Sequence, residues 1–374
     1  MKRNWTWIFF WATLTATPAK AQTIDEILQL IARNNKELQA AKESAQADKL
    51  EQQTRNNLDD PTIEYTPFYT RGTSGVSSTE LIVTQGFDFP TLYAARRKAG
   101  KLQSEAIDRQ QQALRQDILL SAKNLCLDLI LLNQQKTLLD KRKECADELL
   151  ALYEKKQAEG EATILEVNKI KLEQMNIQTE VARNHAAHRT ALQQLLAMNG
   201  NLPLSFSATE YPAIAPIPGY DAIYSEAIAA DATILASHAE TRAAQEEVKV
   251  NRQNWLPKLE IAYRRNTELN EKINGFLVGG SLPIFSNRKK EKIARAQALS
   301  AQLRQEDIQL KAEASIQGLY NEIKQLQEAM QAYKPDLLQQ SLQTLREAVK
   351  EGQLSVIDYY TEAGNIYLNM EAYN

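Results

Sequence analysis

The chain is written twice. The stretch from Leu38 through Lys49-Leu50 to Asp60-Pro61-Thr62-Ile63-Glu64-Tyr65 is answered by Leu235 through Val248-Lys249 to Leu256-Pro257-Lys258-Leu259-Glu260-Ile261, with the prolines 196 positions apart. Further on, Glu159-Gly160-Glu161-Ala162-Thr163-Ile164-Leu165-Glu166 answers Glu351-Gly352-Gln353-Leu354-Ser355-Val356-Ile357-Asp358, with the glycines 192 apart. Two anchors with nearly one offset mark a tandem repeat, so any fold must place the same parts twice.

Each copy has the same order of parts. A helix at about 24–58, or 220–255, is stopped by the proline. Two strand-like runs follow, 61–71 with 79–89 and then 257–267 with 274–285. Ile63, Tyr65, Leu81, Val83 and Phe87, then Leu259, Ile261, Tyr263, Phe276 and Val278, carry the alternation. The turn-forming stretches Arg71-Gly72-Thr73-Ser74-Gly75 and Asn270-Glu271-Lys272 to Gly275 lie between them. Each run is close to the ~9–11 residues of a tilted membrane strand, although the runs taken alone also suit a soluble hairpin.

A very long helix is expected next in both copies. From about Leu92 to Glu159 an apolar stripe steps by three and four through Leu114, Ile118, Ala122, Leu125, Leu129 and Leu132. From about Asn287 to Glu351 it includes Leu299, Leu303, Leu310, Tyr320, Ile323 and Met330. At ~1.5 Å per residue each helix approaches ~100 Å, and helices of that kind pack as coiled coils. Gly160 and Gly352 then mark turns, and Thr163 with Glu166 and Ser355 with Asp358 have capping-box spacing. The first return runs from Ile164 to Met198, and the Pro-rich segment 200–219 connects the copies. The last helix, 355–374, has some twenty residues against thirty-five in the first return. Either the final helix is shorter here or more chain follows.

The first residues point to export. Lys2 and Arg3 precede an apolar run, Trp5 to Leu14, and Ala19-Lys20-Ala21 offers a small-x-small cleavage site before Gln22. A signal peptide at 1–21 is expected. No Cys follows the site, which gives no support to a lipoprotein start. Losing three cations and no acids takes the formal charge from −3 to −6, which argues against a nucleic-acid partner. Scarce glycine and long Pro-free stretches fit packed helices, and no later segment reaches the ~20 apolar residues of a transmembrane helix.

A membrane role would therefore fall to β-strands. Four strands cannot close a barrel, since the smallest need about eight, and open edges are not tolerated in lipid. The expectation is an oligomer in which each protomer adds four strands to a shared barrel, continued by its long helices.

Signal peptide, tandem repeat, paired strands, long helix, Gly-x-x-[Ser/Thr]-x-x-[Asp/Glu] turn and returning helix resemble the TolC family of outer-membrane efflux proteins, in particular its heavy-metal and multidrug branch. The likeness covers essentially the whole mature chain and includes Tyr333-Lys334-Pro335-Asp336-Leu337-Leu338 in the second long helix. It implies a mainly α protein with membrane β-strands: a homotrimer with a twelve-stranded barrel in the outer membrane and a periplasmic tunnel of helical hairpins. The first repeat would span 22–199, with its hairpin at 92–199, and the second 220–374, with its hairpin at 287–374. The implied function is the exit duct of a tripartite efflux pump. It would pass small molecules or metal ions from an inner-membrane pump and a periplasmic adaptor to the outside.

The resemblance also implies an adaptor-contacting tip, here Gly160, Thr163, Glu166, Gly352, Ser355 and Asp358. Asp358 is the candidate gate, while capping alone also accounts for Glu166 and Asp358. The family's arginine two residues after the second glycine is Leu354 here, so a lock built on that arginine is not carried over.

No motif suggests an enzyme, a cofactor or a metal site. His185 and His188 at i, i+3 lack a third ligand nearby, and His238 stands alone. Cys126 and Cys145 are about 30 Å apart along one helix, too far for a disulfide within the chain. The clusters Arg96-Arg97-Lys98 and Arg288-Lys289-Lys290 are expected at the inner membrane boundary. A periplasmic coiled-coil adaptor would share the hairpins but not the duplicated strand pairs, and a structural scaffold would need neither strands nor export. Partition with the outer membrane separates the three.

Overall fold

The structure is a computed structural model that describes residues 22–72, 74–268 and 271–373. The expected signal peptide at 1–21, Thr73 and Asn270 in the expected turns, and Asn374 lie outside the described residues. In the first copy the order is α1 (Ile24–Asn34), α2 (Lys36–Thr54), β1 (Thr62–Phe68), β2 (Ser78–Phe87), α3 (Pro90–Ala158) and α4 (Ile164–Met198). The second copy has α5 (Tyr220–Ala230), α6 (Ala232–Gln253), β3 (Lys258–Glu268), β4 (Glu271–Ser281), α7 (Lys290–Ala332), α8 (Pro335–Lys350) and α9 (Val356–Tyr373).

Three helices expected to be continuous are broken. Asn35 is extended (φ −61°, ψ 123°) between α1 and α2, and its side-chain amide donates to the Met198 carbonyl at 3.0 Å. Asp231 is extended (φ −66°, ψ 113°) between α5 and α6, and its carboxylate accepts from the Thr233 and Ile234 amides at 2.8 and 2.9 Å. Asn35 and Asp231 are 196 positions apart, the offset of the two prolines, so the break belongs to the repeat. The third break does not. The expected helix over 287–351 divides at Tyr333-Lys334 because Pro335 takes the first helical position of α8, and the residue before a proline is driven out of the α region. Its counterpart α3 runs 69 residues unbroken.

The strands form one antiparallel sheet in the order β1-β2-β3-β4. The β2–β3 pair, from Ser78↔Glu268 to Phe87↔Leu259, joins the two copies. The second hairpin is tighter than expected. Glu271 and Lys272, read as turn residues from their polarity, already pair with Glu268 and Thr267, so β4 begins at 271 rather than 274.

The chain divides into two compact units, and each draws on both copies. One holds Glu37–Ile118 and Ala215–Ala329, including the whole sheet. There α3 and α6 meet through small side chains, Ala106 against Ala239 and Ala243, and Ala99 against Val250. Alanines let the two backbones approach closely, and Arg55–Glu247 (2.6 Å), Arg242–Glu105 (2.6 Å) and Lys49–Asp108 flank the helices. Arg96, expected to reach lipid headgroups, instead pairs with Asp88 at 2.6 Å and is only 20% exposed, while Lys98 reaches Glu246 at 3.2 Å.

The other unit holds the described residues up to Lys36, then Leu119–Ile214, and those from Met330 onward. Its core joins the ends of α3 and α8 to the starts of α4 and α9. Leu149, Tyr153, Val167, Ile170, Val349, Val356 and Tyr359 are all at most 4% exposed. Burial of that many large apolar groups, each contributing roughly 1.5–3 kcal/mol, fixes the two turns side by side.

Candidate functional site

Two surfaces carry the functional reading, and the first is the sheet. In an antiparallel ladder, directly paired residues share a face, and alternate residues along a strand share it too. The register Ile63↔Val83↔Tyr263↔Phe276, Tyr65↔Leu81, Phe87↔Leu259 and Ile261↔Val278 puts all ten apolar residues of the sequence pattern on one face. They remain largely solvent-facing in the protomer: Ile63 is 71% exposed, Phe276 83% and Val278 80%. The opposite face is mixed: Thr62, Glu64, Thr66, Glu80, Glu260, Arg264, Asn266, Glu268 and Glu271, with Arg264 and Glu80 paired, lie beside Phe68, Ile82, Ile273 and Leu277. What separates the two faces is charge: all five acids of the strands lie on the mixed face and none on the first. The outer edges of β1 and β4 have no strand partner among the described residues.

The second surface is the pair of turns. Gly160 (φ +81°) and Gly352 (φ +78°) both occupy the left-handed region. The helix ends close alike. Gly160 N–H donates to the Gln157 carbonyl (3.1 Å) and Glu161 N–H to that of Lys156 (2.8 Å), while Gly352 donates to Val349 (3.2 Å) and Gln353 to Ala348 (2.9 Å). These are two Schellman closures, which satisfy the last carbonyls of α3 and α8 and turn the chain.

Thr163 and Glu166 form the expected capping box, whereas the Asp358 carboxylate meets the Ser355 hydroxyl rather than its backbone N–H. Thr163 Oγ1 accepts from Glu166 N–H at 3.3 Å and Glu166 Oε2 from Thr163 N–H at 2.7 Å. Ser355 Oγ accepts from Asp358 N–H at 3.1 Å and donates to the Asp358 carboxylate at 2.6 Å. All six residues therefore lie in these two turns, with Asp358 exposed. Leu354 packs against the apolar cluster beneath the turns.

The contacts that tie the two turns together could not be read from sequence. Glu148 on α3 accepts from Arg346 at 2.5 Å and from Lys350 at 2.7 Å on α8. These hydrogen bonds hold its carboxyl down at about 2. Tyr153 Oη donates to the Val349 carbonyl and Lys156 Nζ to that of Lys350, both at 3.3 Å. Tyr359 Oη lies 3.0 Å from Cys145 Sγ, and burial pushes the Tyr359 hydroxyl pKa up. The i, i+4 spacing of Arg346 and Lys350 put both cations on one helix face, but their partner lies about 200 residues away in sequence.

Among the described residues there is no group of three potential metal ligands and no helix long and apolar enough to cross a membrane. His185 lies exposed on α4, with His188 half-buried one turn along. Both cysteines are free and buried, and burial raises the Cys126 thiol to about 11.

A four-stranded antiparallel sheet with duplicated long helices has counterparts among solved outer-membrane channels. The chain superposes on the outer-membrane channel OprN with a TM-score of 0.75 at 16% identity, over 93% of this chain and 85% of that one. For CusC the TM-score is 0.71 at 15% identity, over 94% and 88%. For the Campylobacter jejuni CmeC outer membrane channel it is 0.70 at 15% identity, over 94% and 81%. At these identities the likeness is one of fold.

Residues 223–361 match the family described as outer membrane efflux protein. The matched stretch covers most of the second copy of the repeat, and the fold is that of these outer-membrane channels. No curated protein sequence matches it.

Proposed function

We propose that the chain is the outer-membrane exit duct of a tripartite efflux pump, a homotrimer that receives small molecules or metal ions from an inner-membrane pump through a periplasmic adaptor. The observation that carries this is the sheet: four strands, ten alternating apolar residues on one face, every acid on the other, and both edges open among the described residues. In lipid each unpaired backbone group costs several kcal/mol, so the edges of β1 and β4 must pair with further copies. Two copies would give about eight strands, a barrel whose interior side chains fill. Three give twelve and leave a lumen. The stripe Leu299, Leu303 and Leu310 on α7 supports association, since each is more than half exposed in the protomer and the spacing is that of a coiled-coil seam.

Gly160, Thr163, Glu166, Gly352, Ser355 and Asp358 form the surface offered to the adaptor. Three Asp358 carboxylates around the axis would form the narrow acidic ring of a gate. Like charges in a constricted mouth attract cations and repel anions.

The test is to extract the full-length protein from outer-membrane fractions in mild detergent and weigh it by native mass spectrometry. A heat-sensitive trimer is expected. A folded protein that is only monomeric, or that fails to partition with the outer membrane, overturns the reading.

A further inference from the structure

The acids of the sheet are sorted completely by face. Glu64, Glu80, Glu260, Glu268 and Glu271 all lie on the mixed face. The apolar face carries no acid among the described residues, and its charges are the cations Arg265 and Lys272. Arg265 is opposite Leu81 and Asn274, and Lys272 is opposite Thr267. The two cations are thus diagonal neighbours on adjacent strands, roughly 7–8 Å apart at Cα. Among the described residues neither forms an ion pair. Two unscreened cations this close repel, and an anion between them would turn that cost into an attraction.

Their place along the strands is equally specific. Every strand end that continues into a helix, at Thr62, Phe87, Lys258 and Ser281, lies at the same end of the sheet. Arg265 and Lys272 lie toward the opposite, hairpin end. Between them and the helices the same face is occupied by Val83, Phe87, Leu259, Ile261, Phe276 and Val278. An arginine on a lipid-facing surface is strongly disfavoured at mid-bilayer and nearly neutral at the interface. Arg265 therefore marks the interface, on the side away from the helices.

We propose that Arg265 and Lys272 form a clamp for the phosphate of an outer-leaflet lipid, a phosphorylated glycolipid whose acyl chains lie against the apolar face. The proposal rests on the duct reading, because it needs the sheet in a bilayer with its helices in the periplasm. An anionic lipid matches the site in sign, in the absence of any competing carboxylate on the face, and in the apolar surface beneath. Arginine suits the role by its planar fork of donors, which matches phosphate oxygens.

The experiment titrates the detergent-solubilised full-length trimer with lipid A, and separately with phosphatidylethanolamine and inorganic phosphate, counting bound lipid by native mass spectrometry. The double variant Arg265→Gln, Lys272→Gln should keep the trimer and bind lipid A roughly thirtyfold more weakly, from two basic contributions of the size seen for membrane-adjacent Lys and Arg. Arg265→Lys should retain part of the affinity. Arg264→Gln, one residue away on the opposite face, should leave lipid A binding unchanged. Equal lipid A binding by the double variant and the parent trimer overturns the clamp while leaving the duct intact. Full competition by millimolar inorganic phosphate overturns the choice of a lipid. Failure of the parent to form a membrane-derived trimer overturns both readings.

Discussion

Substitution of Gly352 isolates what the tip turn contributes. At φ +78° an added Cβ would find open space, its nearest neighbour being Lys156 Nζ at 4.0 Å. Steric clash is therefore absent, and the cost of a side chain is backbone strain alone. For alanine in the left-handed region that cost is about 1–2 kcal/mol, and it is greater for a β-branched residue. The strain weakens the Gln353 N–H bond to the Ala348 carbonyl, which forms only while residue 352 stays left-handed. In Gly352→Ala the turn should open roughly five- to thirtyfold more often. Gly352→Asn should lie between the two, since asparagine tolerates this region better than other side chains.

Hydrogen exchange at the Gln353 amide, with the Glu161 amide of the other turn as internal reference, reads this directly. Gly352→Val should leave the trimer assembled while lowering both adaptor cross-linking and efflux. Unchanged exchange, cross-linking and efflux in Gly352→Val would refute the reasoning.

Two further outcomes follow from neighbouring residues. Asp358→Asn keeps side-chain volume and removes the charge, so it should reduce cation preference in planar bilayers at low salt, where screening is weakest. Unchanged selectivity would leave Asp358 as a helix cap only. Glu148 is held from an ordinary 4.5 down to about 2, so its clamp on Arg346 and Lys350 should be fully present above pH ~4.5 and lost as pH falls toward 2. The difference in thermal midpoint between the parent and Glu148→Gln should therefore shrink from pH 6 to pH 2, and a difference that persists at pH 2 contradicts this assignment.

The parts of this fold that were legible in sequence are those whose determinants are local. Gly160 and Gly352 announce left-handed turns because a Schellman closure involves six consecutive residues. The ten alternating apolar residues announce one sheet face because side-chain direction has a period of two. What escaped is set by distant partners or by position. The break at Asn35 is fixed by Met198, 163 residues away, and nothing beside Asn35 demands it. Asp231 did carry a signal, a capping residue just before Thr233 and Ile234, which the strong helical pattern around it obscured. Pro335 is an equally visible signal, since a proline at a first helical position implies a boundary before it. Polar Glu271 and Lys272 looked like a turn because polarity alone does not separate a loop from a strand whose partner continues the ladder. The Glu148 clamp joins residues about 200 apart and had no local trace.

The β2–β3 pairing has a consequence for assembly. Each copy of the repeat supplies one hairpin, and that pairing seams the two hairpins of a single chain together. In the proposed trimer, three such chains make a ring of six hairpins. Three of its six seams form within a chain, at an effective concentration set by the tether rather than by protein abundance. Only three seams wait on diffusion. An unduplicated ancestor would have had to gather six bodies to close the same circle, so fusing the copies halves the molecularity of closure and halves the number of vulnerable edges exposed to lipid along the way.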